Sequence, residues 1–299
     1  MIRIECPENL PPFAGCAFVP TMGALHAGHA ALVKQASESG KPVVVSIFVN
    51  PTQFSPSEDL ARYPRTLDAD LALLASLGVA AAYCPTVAAL YPEGLEASEK
   101  IARELQLPAV ATDPQLEDRC RPHHLAGVAL VVGRLFDQVR PSCAYFGEKD
   151  YQQLRLVEDL VAHSADRFPA LRVIRCPTVR ESDGLAMSSR NRFLSAADRA
   201  AALSLSRGLQ ATHMAFRPAD AERMMQDELT RHGLSIEYAV VRDARTLLPA
   251  ATFDAPTRAL IAARIGSVRL IDNVAFPARD PTKSKCPFAA LFGFGTPSG

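Results

Sequence analysis

The chain has 299 residues, 48% of them hydrophobic, and its 32 basic and 32 acidic side chains give a formal net charge of zero. This length can bury a large core and favours two domains, and the balanced charge argues against general recruitment to nucleic acid or to a membrane. No apolar run reaches the roughly 20 residues that cross a bilayer, and the N-terminus lacks a signal pattern, so we expect a cytoplasmic protein. Seven cysteines without a Cys-x-x-Cys pair indicate reduced thiols rather than a disulfide framework or a zinc site.

Short apolar runs alternate with helical patterns in the first part of the chain. The run at 43–49 is typical of a strand that is covered on both faces in a parallel sheet. Alternating strands and helices therefore predict an α/β fold built on a doubly wound parallel sheet. Residues 85–122 show a weaker pattern, which we interpret as an irregular excursion or a lid. The predicted strands are 15–19, 43–49, 79–84, 143–146 and 171–176, and the predicted helices include 30–39, 67–77 and 125–139.

The pattern changes after residue 177. Two predicted helices, 195–215 and 218–233, precede two apolar strands, 236–241 and 259–265, and the segment 268–273. We expect residues 1–177 and residues 178–276 to form a larger and a smaller domain, the second of the α+β type. Residues 277–299, with Lys, Pro, Gly and scattered Phe, are predicted to be a disordered tail.

The segment 20–29 joins the first predicted strand to the first predicted helix. His26 and His29 lie three residues apart at the first turn of that helix, near its unpaired amides and the positive end of its dipole. Such a position can hold phosphate. A capped surface turn and half of a metal site are the alternatives. Neither the three-glycine dinucleotide signature nor the Gly-Lys-Ser/Thr of a P-loop is present here.

Three further polar segments follow predicted strands. Asn50 and Gln53 come after the second strand, where an ordinary turn is the alternative. Lys149 and Gln153 share one face at the start of a helix after the fourth strand, where a solvated first turn is equally compatible. The loop 178–191 follows the fifth strand and supplies hydroxyls and a guanidinium. Because ligands of doubly wound sheets bind at the carboxyl ends of the strands, all four polar segments are predicted to form one site.

Five segments together closely resemble the pantothenate synthetase family, also called pantoate-beta-alanine ligases. The resemblance covers roughly residues 18–273. The segments that carry it are 20–29, 48–54, 63–66, 146–154 and 183–191.

The resemblance implies a ligase that forms a carbon-nitrogen bond in pantothenate biosynthesis. Its reaction is the ATP-dependent condensation of pantoate with beta-alanine to pantothenate, AMP and pyrophosphate through an enzyme-bound pantoyl adenylate. The resemblance also implies a homodimer and a Rossmann-like N-terminal domain with the His-x-Gly-His nucleotidyltransferase motif. Because water must be kept away from the adenylate, we expect the C-terminal domain to act as a lid. Mg2+ is expected to accompany ATP, bound mainly through its phosphates.

The same resemblance assigns site residues. It gives catalytic roles to His29, His26 and Lys149, with His29 donating to the transition state. It places Gln53, Gln153 and Met22 against the substrates pantoate and beta-alanine. No protein side chain is assigned as a metal ligand. The residues expected to bind ATP are Met22, Gly23, His26, Gly28, His29, Gly147, Glu148, Lys149, Asp150, Val179, Met187, Ser188, Ser189 and Arg190.

The sequence departs from the family pattern at a few positions. Thr52 stands where Met is usual, and Leu125 replaces an aromatic residue, which could loosen the packing near pantoate. His123 is interpreted as a surface turn residue. Ala69 interrupts an acidic run that the family often carries. The segment before the first strand is short, so the family's early helix is expected to be missing.

Two other functions remain as alternatives. Another nucleotidyltransferase with the same histidine motif, acting on a phosphate acceptor, should need extra basic residues where Gln53 and Gln153 stand. A non-catalytic nucleotide-binding protein would not need His26, His29 and Lys149 arranged around a leaving group.

Overall fold

The computed structural model describes residues 1–54 and 60–278. Its larger sheet has six strands, in the spatial order first, fourth, third, second, fifth and sixth, and every neighbouring pair is parallel. The predicted doubly wound α/β fold is confirmed. Most of the predicted tail, from residue 279 on, lies outside the described residues. The six strands are β1 (Ile2–Ile4), β2 (Ala17–Thr21), β3 (Val43–Ile47), β4 (Ala81–Tyr83), β5 (Cys143–Gly147) and β6 (Arg172–Cys176).

Helices cover both faces of this sheet. One face packs against α1 (Ala27–Ser37) and α2 (Leu67–Ser76) around Val19, Val33 and Leu74, and the other packs against α6 (His124–Val139) and α7 (Tyr151–His163) around Phe136 and Leu154. In the part of the chain that the structure describes, no helix is both long and apolar enough to cross a membrane. The helices in this part of the fold are α1 (Ala27–Ser37), α2 (Leu67–Ser76), α3 (Val87–Leu90), α4 (Leu95–Glu104), α5 (Glu117–Cys120), α6 (His124–Val139) and α7 (Tyr151–His163).

The structure differs from the sequence predictions mainly in short elements. The edge strand β1 was not predicted, because three residues are too few to show a periodic pattern. The segment 85–122, expected to be irregular, contains the three short helices α3, α4 and α5. It also buries Leu90, Tyr91 and Leu116 in the core, so it is a packed part of the fold.

A second, antiparallel sheet follows. It has the order β7-β8-β9, with strands β7 (Ser235–Asp243), β8 (Thr257–Ile265) and β9 (Val268–Phe276). The helix predicted over 195–215 is divided at Leu203 into α8 (Ala196–Ala202) and α9 (Ser204–Ala211), and α10 (Pro218–Arg231) packs on α9 and β7.

The two sheets are joined where β5 enters α7. Asn273 on β9 donates through Nδ2 to the backbone carbonyls of Glu148 (3.0 Å) and Lys149 (2.8 Å). Arg258 on β8 pairs with the Glu148 carboxylate at 3.2 Å and stacks 3.9 Å from the ring centre of Tyr151. The C-terminal sheet therefore fixes the turn that presents Lys149.

Candidate active site

The carboxyl ends of β2, β3, β5 and β6 meet around one cleft. It encloses about 1430 Å³ of space, part of which is open to solvent. All four polar segments singled out in the sequence contribute to its lining. The predicted site residues that line the cleft are Met22, His26, Gly28, His29, Gln53, Gly147, Lys149, Asp150, Gln153, Val179, Met187, Ser188, Ser189 and Arg190.

Two predicted ATP-binding residues, Gly23 and Glu148, are absent from that lining. Gly23 has a φ of 80°, and a Cβ atom added to it would lie 3.0 Å from Asp70 Oδ2 and 3.1 Å from Ile47 Cγ2. Glycine is therefore required there for backbone conformation and close packing. The carboxylate of Glu148 is held by Arg258. Contact of either residue with ATP stays a prediction.

The two histidines form a reciprocal cap at the start of α1. The backbone N–H of Gly28 donates to Nδ1 of His26 (3.1 Å), and the backbone N–H of His26 donates to Nδ1 of His29 (3.3 Å). Their ring centres are 4.1 Å apart. Since each Nδ1 accepts a hydrogen bond, the ring proton of each neutral imidazole must sit on Nε2. Each ring can therefore donate from Nε2 to a ligand in the cleft.

The environment keeps both rings neutral. Burial, followed by the charge of Lys149, lowers the pKa of His26. Burial and the neighbouring His26 lower the pKa of His29 to about 3. At neutral pH the pair therefore supplies uncharged hydrogen-bond donors, and the positive charge in the cleft comes from other residues.

Sequence analysis missed the residue that holds the turn before α1. Asp70, only 3% exposed on α2, accepts the backbone N–H of Ala24 at Oδ2 (2.9 Å) and that of Leu25 at Oδ1 (2.8 Å). The hydroxyl of Thr66 donates to the same carboxylate at 3.2 Å. Two consecutive amides that converge on one carboxylate form an anion-binding nest. Ala24, with a φ of 50°, supplies the left-handed conformation that this nest needs. The only sequence signal was that Asp70 belongs to the acidic run that Ala69 interrupts.

These contacts revise the expected role of the backbone amides. The sequence predicted that unpaired amides at the start of α1 would hold phosphate. In the structure the backbone amides of Ala24 and Leu25 donate to the Asp70 carboxylate. The backbone amide of His26 donates to the His29 ring, and that of Gly28 donates to the His26 ring. These four amides are therefore engaged within the protein, whereas the imidazole Nε2–H groups remain as donors for a phosphate.

The side chain of Gln53 is oriented by Asn50, which is 1% exposed. Asn50 Oδ1 accepts the backbone N–H of Thr52 (3.3 Å), and Asn50 Nδ2 donates to the backbone carbonyl of Gly127 (3.2 Å). These backbone partners fix which end of the Asn50 amide is nitrogen. Asn50 Nδ2 also donates to Gln53 Oε1 at 3.1 Å. Gln53 therefore presents its Nε2 donors to the cleft, as a site for oxygen acceptors requires.

Thr52, which departs from the family pattern, is part of this network. Thr52 donates its hydroxyl to Asn50 Oδ1 (3.0 Å) and lies 3.3 Å from the Tyr91 hydroxyl, which itself donates to Asn50 Oδ1 (2.6 Å). His123 is exposed at the start of α6, as predicted for a turn residue, and Leu125 is buried.

His124, which sequence analysis did not use, supports the Gln53 turn. Arg121 Nη1 lies 2.9 Å from His124 Nε2, and arginine can only donate, so the ring proton is on Nδ1. That Nδ1–H donates to the backbone carbonyl of Gln53 at 2.9 Å.

A positive and a negative side chain lie next to each other in the cleft, just before the start of α7. Lys149 Nζ pairs with Asp150 Oδ1 at 3.1 Å. Burial works to raise the pKa of Asp150, but Lys149 and Arg190 outweigh it and lower that pKa. Of the described residues that line the cleft, Asp150 is the single acidic one. Within residues 1–54 and 60–278 no three His, Cys, Asp or Glu side chains cluster as they would around a metal ion.

A parallel α/β sheet whose strand ends gather two neutral histidines, a lysine and an arginine in one cleft defines a Rossmann-like nucleotide-binding enzyme. The chain belongs to the pantoate-beta-alanine ligase family, which it matches over residues 12–275.

Similar proteins agree with this assignment. A pantothenate synthetase from Bradyrhizobium is 49% identical over 267 residues, which cover 88% of this chain and 91% of the relative. A crystal structure of pantothenate synthetase from Thermus thermophilus is 40% identical, covers 92% of this chain and 99% of its own, and superposes with a TM-score of 0.82. A pantoate-beta-alanine ligase from Francisella tularensis, complexed with beta-gamma ATP and beta-alanine, has 32% identity and a TM-score of 0.73, over 92% and 97% of the two chains.

Proposed function

We propose that this protein condenses pantoate with beta-alanine at the expense of ATP, giving pantothenate, AMP and pyrophosphate. The observation that carries the proposal is the cleft in which four distant segments bring together His26, His29, Lys149, Arg190 and Gln53. Membership of the pantoate-beta-alanine ligase family, matched over residues 12–275, supports it.

In the first step the pantoate carboxylate attacks the α-phosphorus of ATP, and pyrophosphate leaves. The carboxylate is already ionised at neutral pH, so no strong base is needed. The barrier lies in joining an anion to a polyanion, which positioned donors and cations lower. Lys149 and Arg190 supply positive charge, and the Nε2–H groups of His26 and His29 supply neutral donors. Ser188 and Ser189 add hydroxyls.

Pantoate binding is assigned to the glutamine side of the cleft. Gln53 offers Nε2 donors that suit the carboxylate and hydroxyl oxygens of pantoate, and Gln153 lines the same cleft. Met22 forms part of the wall. The apolar side chains of Val131, Val132 and Leu135 suit the methyl groups of pantoate.

In the second step the free amine of beta-alanine attacks the acyl carbon of pantoyl adenylate. A carbon-nitrogen bond forms, the bond from the acyl carbon to the phosphate oxygen breaks, and AMP leaves with that electron pair while the amine loses a proton. Water would hydrolyse the adenylate, so exclusion of solvent is part of the chemistry. We assign that exclusion to residues 178–276 acting as a lid domain over the nucleotide-binding domain of residues 1–177.

The remaining assignments concern partners and setting. Mg2+ is expected to arrive on the ATP phosphates and to neutralise part of their charge there. We also propose that the protein is a cytoplasmic homodimer, as the family resemblance implies.

Exchange of labelled pyrophosphate into ATP tests the proposal. Pantoate should support exchange without beta-alanine, because adenylate formation is reversible before the amine attacks. A folded protein that shows no pantoate-dependent exchange would refute adenylation as the first step.

A further inference from the structure

The turn that presents Lys149 is held by residues far from it in the sequence. Residues 147–151 connect β5 to α7 in the part of the chain that we assign to the nucleotide-binding domain. Hydrogen bonds, an ion pair and a ring contact bind this turn to residues 244–273, which belong to the C-terminal sheet and its first connection. The place of Lys149 therefore depends on both sheets.

Asn273 on β9 makes the contacts to the backbone of the turn. It is only 4% exposed, and its Nδ2 donates to the carbonyl oxygens of Glu148 at 3.0 Å and Lys149 at 2.8 Å. Its Oδ1 accepts from Nε of Arg258 at 2.6 Å. A carbonyl oxygen can only accept and a guanidinium can only donate, so these partners fix both ends of the Asn273 amide.

Arg258 and Tyr151 hold the same turn through side chains. Arg258 is buried on β8, its Nη2 lies 3.2 Å from Oε2 of Glu148, and its guanidinium lies 3.9 Å from the centre of the Tyr151 ring. The hydroxyl of Tyr151 donates to the backbone carbonyl of Ala244 at 2.8 Å. The turn is thus tied to β8, to β9 and to the residue that follows β7.

The ammonium of Lys149 depends on this backbone for its place in the cleft. It stands on a flexible stem of four carbons, and its Nζ lies 3.1 Å from Oδ1 of Asp150, the next residue of the same turn. A shift of the turn would therefore move the cation and its partner together. Since a cation stabilises developing negative charge best when it is already in place, such a shift would slow the reaction.

We propose that Asn273 is a positioning residue for Lys149, whose amide holds the backbone of residues 148–149 so that the ammonium faces the phosphates of ATP. Asn273 is not one of the described residues that line the cleft, so it acts through Lys149. The C-terminal domain thereby contributes to the first step of the reaction as well as to the exclusion of water. This inference rests on the proposed function, because that function gives Lys149 its role.

A double-mutant cycle tests the inference, because a residue that acts through Lys149 loses its effect once the ammonium is gone. Asn273→Leu keeps the approximate size of the side chain and removes the amide. We expect it to lower kcat for pantoate-dependent pyrophosphate exchange about 30-fold when Lys149 is present, and less than about threefold in the Lys149→Met background. A merely structural role would give the same factor in both backgrounds.

ATP binding repeats the cycle without turnover. Asn273→Leu should raise the Kd for ATP about fivefold when Lys149 is present and leave it unchanged in the Lys149→Met background. Val274→Ala is the matched control, since Val274 is the next residue of β9 but packs against the core of the C-terminal domain. That control should keep the wild-type kcat and Kd.

The two readouts separate this inference from the proposed function. A wild type that binds ATP but shows no exchange would refute the proposed function, and the cycle on Kd would still decide the role of Asn273. A wild type that binds no ATP would overturn both. Wild-type kcat and Kd in Asn273→Leu, or equal factors in the two backgrounds, would overturn the Asn273 assignment alone. If Asn273→Leu does not fold, Asn273→Ser takes its place in both cycles and is judged by the same comparison.

Discussion

Gly127 is predicted to be the residue of α6 at which an added methyl group most directly disturbs the substrate site. A Cβ atom there would lie 2.3 Å from the carbonyl oxygen of Thr52, 2.6 Å from its carbonyl carbon and 2.7 Å from the backbone nitrogen of Gln53. Ordinary contacts need about 3.4 Å, so the turn and the helix must separate by roughly 1 Å. Misplacement of a substrate-positioning group by that distance can cost about 100-fold in rate.

We therefore expect Gly127→Ala to lower kcat/KM for pantoate about 100-fold in the exchange assay. Overpacking should cost about 1–3 kcal/mol of unfolding free energy, offset by up to about 1 kcal/mol of helix propensity. Gly133→Ala is a matched control on the same helix, because its Cβ would meet only the flexible guanidinium of Arg167 at 3.7 Å. That control should keep wild-type kinetics. Wild-type pantoate kinetics and unfolding free energy in Gly127→Ala would refute this close approach of α6 to the Gln53 turn.

Three further predictions concern the histidine motif. Asp70→Asn should lower kcat for exchange about tenfold or more while the KM for ATP changes little, because the charged acceptor that holds the turn is lost. Asp68 is exposed on the same helix, so Asp68→Asn should keep wild-type kinetics. Equal kinetics for the two variants would refute the role of Asp70. His29→Ala should reduce turnover far more than ATP affinity, as for a contact made mainly in the transition state; equal losses in kcat and in the measured Kd for ATP would make His29 a binding residue. Folding lowers the pKa of His29 from an ordinary value of 6.5 to about 3. Between pH 6.5 and pH 3 the unfolded chain therefore binds more protons than the folded protein does. The free energy of unfolding should consequently fall as the pH drops from about 6.5 towards 3. The His29→Asn variant keeps a hydrogen-bond acceptor for the cap but cannot titrate. Its free energy of unfolding, measured with urea across this pH range, should therefore fall less than that of the wild type. An identical fall in the two proteins would contradict the assigned pKa.

Sequence periodicity predicted the main elements of this fold because most of them are long enough to show a pattern. The strands after residues 42 and 142 are continuous apolar runs, and α6 repeats apolar residues through four turns. The edge strand β1 and the short helices α3 and α5 are three or four residues long, so no periodicity could reveal them. No sequence pattern marked the break at Leu203 between α8 and α9.

The cleft was predictable for a different reason. The carboxyl ends of parallel strands lie at the same edge of the sheet. Once the strands were assigned, residues that follow them, such as Gln53 and Lys149, were therefore expected at that edge. What sequence could not show was which hydrogen bonds are already satisfied within the protein. Asp70 binds the backbone amides of Ala24 and Leu25, and Asn50 decides which end of the Gln53 amide faces the cleft.

Oxygen transfer from pantoate to AMP tests the central claim most directly. Pantoate labelled with oxygen-18 in its carboxylate should be incubated with ATP, beta-alanine and the protein, and the products separated for mass spectrometry. Attack of the carboxylate on the α-phosphorus leaves one carboxylate oxygen on that phosphorus, so each AMP formed should carry one labelled oxygen. Unlabelled AMP, or label appearing in inorganic phosphate together with ADP, would contradict formation of a pantoyl adenylate in this cleft.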